Sequence, residues 1–98
     1  MKPESSFRVS VRKFLNELPD TVILPIQQVA LRGHPDFVLC VGGLFVALEL
    51  KTDTGKLSAL QEHLLEKIAE TGGMSIVARP SNWDEIKELL IRIARGDH

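Results

Sequence analysis

Apolar residues recur at helical spacing over residues 4–18, where Phe7, Val11, Phe14, Leu15 and Leu18 form one stripe that Pro19-Asp20 ends. Arg8, Arg12 and Lys13 lie off that stripe. Residues 21–29 read as a strand bent near Pro25, and Arg32-Gly33-His34-Pro35 reads as a loop. Residues 36–51 read as a β-hairpin turning at Gly42-Gly43, a dipeptide suited to the positive φ angles of two-residue turns. Residues 52–57 form a polar loop. A second helix opens at Ser58, carries Leu60, Leu64, Ile68 and Ala69 as its apolar stripe, and stops at Gly72-Gly73. Met74 to Ala78 is a short strand. Pro80-Ser81 then leads into a last helix, with Ser81 as N-cap, Asp84 and Glu85 in the first turn, and Trp83, Ile86, Leu90 and Ile93 on the core face. The predicted order is α-β-β-β-α-β-α, an α/β fold in which helices flank a mixed β-sheet.

The hairpin register carries the chemical content. With Gly42 and Gly43 as the turn, Val41 pairs with Leu44, Cys40 with Phe45, Leu39 with Val46, Val38 with Ala47 and Phe37 with Leu48. The next opposed pair is Asp36 and Glu49, on one face of the hairpin, and Lys51 points to the same face two residues later. Both faces of the hairpin are otherwise apolar, which predicts cover on both sides. Two carboxylates opposed at about 5 Å repel by roughly 3 kcal/mol at an effective dielectric of about 20. A divalent cation would relieve that repulsion, and oxygen donors suit Mg²⁺ or Mn²⁺ better than Zn²⁺. The plain alternative is a solvated strand end at which Lys51 neutralises the acids.

Composition narrows the classes. Ninety-eight residues predict a single domain over 1–98, and 44% hydrophobic with 26% charged residues excludes a disordered chain. No apolar run reaches membrane-spanning length and no signal-peptide core begins the chain, which predicts a cytoplasmic protein without membrane contact. The one cysteine, Cys40, excludes an internal disulfide and a cysteine-rich metal site, and reads as a buried core residue. A net charge of −1 excludes a basic coat, so nucleic-acid binding would need a local patch.

Gly33-His34-Pro35-Asp36, then Glu49-Leu50-Lys51, then Gln61 in the following helix resemble the signature of the PD-(D/E)XK nuclease superfamily. Gly33-x-Pro35-Asp36-Phe37, Phe45-Val46-Ala47-Leu48-Glu49-Leu50-Lys51-Thr52, Gly55-Lys56-Leu57-Ser58 and Gln61 are similar in particular to its virus-type replication-repair nuclease (VRR-NUC) branch, whose small members resemble Holliday-junction resolvases. The resemblance runs from Glu4 to about Ala78. It implies a restriction-endonuclease-like core and a Mg²⁺- or Mn²⁺-dependent endonuclease acting on DNA, with four-way or other branched DNA as substrate, in a bacterial or phage-encoded protein. It implies Asp36, Glu49 and the Leu50 backbone carbonyl as metal ligands, Lys51 orienting water or stabilising phosphate charge, and a role for Gln61 in the site.

Two of these residues carry a second reading. Gln61 completes a capping box with Ser58, a role compatible with the first. Glu4 is a metal or water ligand by resemblance, or an acid favoured in a first helical turn. His34 is read as a loop residue touching phosphate rather than as a metal ligand. Arg8, Arg12, Arg32 and Lys56 are candidate phosphate contacts, with Arg32 and Lys56 favoured because they flank the carboxylates. Trp83 reads as helix packing. A chain this short buries a modest share of its surface, and two cuts in a symmetric junction need two sites, so a homodimer is expected. The rival class is a catalytically silent nucleic-acid-binding or assembly module that keeps the fold.

Overall fold

The computed structural model describes residues 3–26 and 33–96, with side chains from residue 6 in the first helix. Its elements are α1 (Pro3–Glu17), β1 (Thr21–Pro25), β2 (Phe37–Val41), β3 (Leu44–Leu50), α2 (Ala59–Glu70), β4 (Met74–Ala78), a 3-10 turn (Pro80–Asn82) and α3 (Trp83–Ala94). The four strands form one mixed sheet in the order β1-β2-β3-β4. β1, β2 and β3 are antiparallel neighbours, and β4 runs parallel to β3 after the α2 crossover. The hairpin register is the one read from the sequence, from Phe37 opposite Leu48 to Val41 opposite Leu44. β1 ends at Pro25, and residues 27–29 of the expected strand lie outside the described residues.

One sheet face builds the core. Phe37, Leu39 and Val41 of β2 and Val46, Leu48 and Leu50 of β3 are fully buried. They form one cluster with Phe7, Val11 and Leu15 of α1 and with Trp83, Ile86, Leu90 and Ile93 of α3. Trp83 packs as expected, edge-on to Phe7 and Phe14 with ring centroids 5.8 and 5.4 Å away. Such aromatic pairs contribute about 0.5–1.5 kcal/mol beyond their area.

The opposite face is covered only in part, not on both sides as the apolar pattern predicts. α2 connects the parallel neighbours β3 and β4 and sits on that side, where the Ser75 hydroxyl donates to the Leu65 carbonyl at 2.6 Å. Toward β1 the face is open, so Cys40 is exposed rather than buried, alongside Val22, Leu24 and Phe45. The stripe of α2 is shifted: Leu65 is its buried residue, Leu64 and Ile68 of the expected stripe are half-buried, and Leu60, 52% exposed, and Ala69 face outward. Ser81 does not cap the last helix. It lies within the 3-10 turn, Asn82 holds the N-cap position, and the Ser81 N–H donates to Asp53 Oδ1 at 2.9 Å. Among the described residues no helix is long and apolar enough to cross a membrane.

The hairpin turn is clamped against the end of α3. Gly42 and Gly43 have φ of 53° and 86°, and a Cβ on Gly42 would lie 2.4 Å from the Ile93 carbonyl oxygen, whereas one on Gly43 would meet nothing within 4 Å. Gly43→Ala should therefore cost only left-handed backbone strain, about 1–2 kcal/mol. Gly42→Ala should cost a further ~1–3 kcal/mol from the clash. Urea denaturation of both variants checks this, and equal losses would show that the contact with α3 is soft.

Candidate functional site

The strand-end chemistry begins with backbone accounting. The Gly42 N–H donates to Asp20 and the Asp36 carbonyl accepts from Ile26, so even-numbered residues of β2 bond toward β1 and odd-numbered ones toward β3. Position 35 is therefore the next rung facing Leu50. Pro35 has no N–H to return to the Leu50 carbonyl. The Leu50 N–H, for its part, donates at 2.8 Å to Asp36 Oδ2. The Asp36 side chain thus takes the place of a main-chain rung. The loop leading to it packs on α2: Gly33 has φ 80°, and a Cβ there would lie 2.5 Å from Leu60 Cγ, one residue before Gln61.

Asp36 and Glu49 are the buried charged residues among those described, 6% and 4% exposed. Each has its own cation. Arg8 of α1 donates through Nη2 to Asp36 Oδ1. Lys51 Nζ lies 3.6 Å from Glu49 Oε2, with its side chain 20% exposed. The same Oε2 accepts from Gln61 Nε2 at 3.1 Å. Gln61 fills its capping role as well: its Oε1 accepts from the Ser58 N–H at 2.9 Å, and the Ser58 hydroxyl accepts from the Gln61 N–H at 3.1 Å. The two readings of Gln61 coexist because its amide has separate donor and acceptor ends.

Glu49 Oε1 has no hydrogen-bond partner among the described residues, although it is buried. Burial first, then the nearby Asp36 charge, push the Glu49 pKa up from 4.5 to about 7, with Lys51 pulling it back. A buried carboxylate oxygen without a donor is costly, and it has the chemistry of a vacant cation ligand. No group of three or more His, Cys, Asp or Glu side chains placed to hold a metal ion occurs among the described residues. Two carboxylates are nevertheless a suitable set for Mg²⁺, which usually keeps several waters and takes substrate phosphate oxygens as well. Glu49 Oε1, beside the second buried carboxylate Asp36, is an oxygen donor of the kind such an ion takes.

The remaining candidates divide by place. Arg12 is exposed one turn beyond Arg8, and both guanidinium carbons lie over the Phe37 ring, 5.6 and 5.8 Å from its centroid. His34 is half-buried two residues before Asp36, and Lys56 is exposed in the loop before α2. Arg32 and the Glu4 side chain lie outside the described residues. Two features were not read from the sequence. Arg8 is a direct counter-ion of Asp36, where only a phosphate contact was expected. Arg79, at the end of β4, donates through Nη1 to the Thr52 and Gly55 carbonyls, each at 2.6 Å. Both are long-range pairings that nothing local in the sequence marks. Comparison with models of known families, with characterised proteins and with solved structures finds no match.

The two carboxylates should respond oppositely to neutralisation. Unfolded, Glu49 loses its proton near pH 4.5, and folded near pH 7. The folded state binds more protons between those values, so stability falls as pH rises from about 4.5 through 7. Glu49→Gln removes that penalty. In chelator at pH 8 it should be more stable than the wild type by an amount on the order of 2–3 kcal/mol, the gap closing near pH 4.5. Asp36→Asn puts an NH₂ against either Arg8 or the Leu50 N–H, both donors, and should lose about 1.5–3 kcal/mol. Thermal and urea unfolding across pH 4.5–8 measures both, and a stabilising Asp36→Asn would refute the Arg8 pairing.

Proposed function

We infer that this chain is a Mg²⁺- or Mn²⁺-dependent endonuclease hydrolysing DNA phosphodiesters through Asp36, Glu49 and Lys51, on a PD-(D/E)XK, restriction-endonuclease-like core of the VRR-NUC type. The observation that carries the reading is the orphaned, buried Glu49 Oε1 beside a second buried carboxylate, with Lys51 and Gln61 on the opposite oxygen. Structural ion pairs do not call for a bare carboxylate oxygen.

Each residue has a definite task in this reading. Asp36 and Glu49 would hold the ion together with the Leu50 carbonyl. When bound, Mg²⁺ or Mn²⁺ would supply Lewis-acid activation of the phosphate and of water. Lys51 stabilises negative charge developing on the phosphate oxygens or holds the attacking water. Gln61 fixes the Glu49 carboxylate through Oε2, which would leave Oε1 to ligate the ion. Arg8 balances Asp36 in the metal-free protein and, with Arg12, Lys56, His34 and Arg32, is a contact to the DNA backbone. Branched DNA such as a four-way junction is the proposed substrate, cleaved by a homodimer in the cytoplasm. The open sheet face with Val22, Leu24, Cys40 and Phe45 offers apolar surface for that association.

A second reading has an observation in its favour. Arg8 and Lys51 already neutralise the two acids pairwise, so a silent nucleic-acid-binding module would stand without metal.

Metal and DNA separate the readings. Wild type should cleave labelled junction or linear DNA with Mg²⁺ or Mn²⁺ and not with chelator. Asp36→Asn and Glu49→Gln should fall to background, and Lys51→Ala should lose about 10²–10³-fold in turnover while still binding Mn²⁺. Saturating Mn²⁺ at 100 times its Kd should stabilise the wild type by about 2.7 kcal/mol and leave Glu49→Gln unmoved. DNA binding with no metal-induced shift and no cleavage would select the silent module. Light scattering at micromolar concentration should give the dimer mass, and a monomer unchanged by junction DNA would remove the paired-cut proposal.

A further inference from the structure

β3 makes its last ladder bond at Lys51, whose N–H donates to the Ala78 carbonyl at 3.0 Å. From there the chain crosses to Ser58, the N-cap of α2, without strand pairing. Lys51 and Gln61 stand at the two ends of that crossing, and both reach Glu49 Oε2. Their separation is set by the conformation of residues 52–57.

That turn is held from outside. Its only internal bonds among the described residues run from the Gly55 N–H to the Thr52 carbonyl and hydroxyl, at 3.3 and 3.0 Å. Arg79 Nη1 bridges the Thr52 and Gly55 carbonyls. Arg79 is itself fixed, because its N–H donates to Asn82 Oδ1 at 2.7 Å and Asn82 Nδ2 donates to the Val77 carbonyl at 3.0 Å. Asp53 adds a second tie, to the Ser81 N–H. The Lys51 stem runs past the clamped turn: its Cδ lies 3.6 Å from where a Cβ on Gly55 would stand. A bond on the Gly55 carbonyl therefore bears on where the Lys51 ammonium sits.

We propose that Arg79 is a positioning residue of the site, clamping the Thr52–Gly55 turn so that Lys51 and Gln61 meet Glu49 from opposite ends. The clamp is a geometric claim about Lys51, and its catalytic consequence rests on the nuclease reading above. Both bonds come from one nitrogen, Nη1, whose two N–H groups lie in the guanidinium plane at a fixed angle, where a lysine ammonium rotates freely on a flexible stem and would not fix both directions.

The test reads Lys51 directly. Wild type, Arg79→Met, Arg79→Gln and Arg79→Lys are labelled briefly with acetic anhydride without metal or DNA, and each lysine is quantified by mass spectrometry. Lys51 should be protected in the wild type, and its labelling should rise at least ~5-fold in folded Arg79→Met, with exposed Lys13 and Lys67, both outside the turn, unchanged as internal controls. Arg79→Lys should restore part of the protection. Arg79→Gln, whose short amide cannot span both carbonyls, should behave as Arg79→Met and replaces it if that variant unfolds. Unchanged Lys51 labelling in either folded variant overturns the proposal, whether or not the protein cleaves DNA. Where the wild type does cleave, Arg79→Met should lower kcat at least ~10-fold with KM for DNA within about 2-fold, and Lys51→Met/Arg79→Met should be no slower than Lys51→Met. Multiplicative losses in that double variant would also overturn it, and a wild type that fails to cleave counts against the nuclease reading alone.

Discussion

The Leu50 N–H emerges from β3 opposite a proline, and the Asp36 carboxylate receives it. This bond turns a side chain into part of the sheet. Asp36 is held by main chain on one oxygen and by Arg8 on the other, so its position is as rigid as the strand pair itself. Glu49, one residue before Leu50, inherits that rigidity through its own ladder to β4. The fully buried core beneath, Phe37, Leu39, Leu48 and Leu50 against α1 and α3, is what keeps the strand end from fraying.

Around that fixed pair, each layer of the fold delivers one group. α1 supplies Arg8, the strand supplies Lys51, and α2 supplies Gln61 from its first turn. Charge is balanced pairwise without being exhausted, because Glu49 Oε1 meets no donor among the described residues. That bare oxygen and the raised Glu49 pKa have one origin: a carboxylate removed from water beside another carboxylate. A surface ion pair would show neither property.

The periodic parts of the structure were legible in the sequence, and the hairpin most of all. Gly42-Gly43 fixed the turn, and a period of two then placed every partner from Phe37–Leu48 to Val41–Leu44. The capping box at Ser58 and Gln61 was equally plain. What escaped was decided by which side of the sheet each helix occupies. The apolar alternation of β2 cannot say that α2 sits over β3 and β4, so Cys40 was placed in the core when it faces outward. The same ambiguity misassigned the buried edge of α2, where Leu65 does the packing. Ser81 carries the composition of an N-cap, but a contact with Asp53, 28 residues away, uses its N–H and a 3-10 turn occupies its place. Arg8 with Asp36 and Arg79 with Thr52 and Gly55 are likewise long-range pairings that no local pattern encodes.

The clamp between Gly42 and the Ile93 carbonyl has a consequence for how such a chain can diverge. At one end the hairpin is pinned to α3, and at the other it carries two carboxylates that must share a face. Inserting a single residue in either strand would break the parity that opposes Asp36 to Glu49. Inserting two on each side would keep parity but push the turn into the helix end. The segment from 36 to 49 is thus free to change its letters but not its length, and drift in this lineage should accumulate there as substitutions, with gaps displaced to the surface connections.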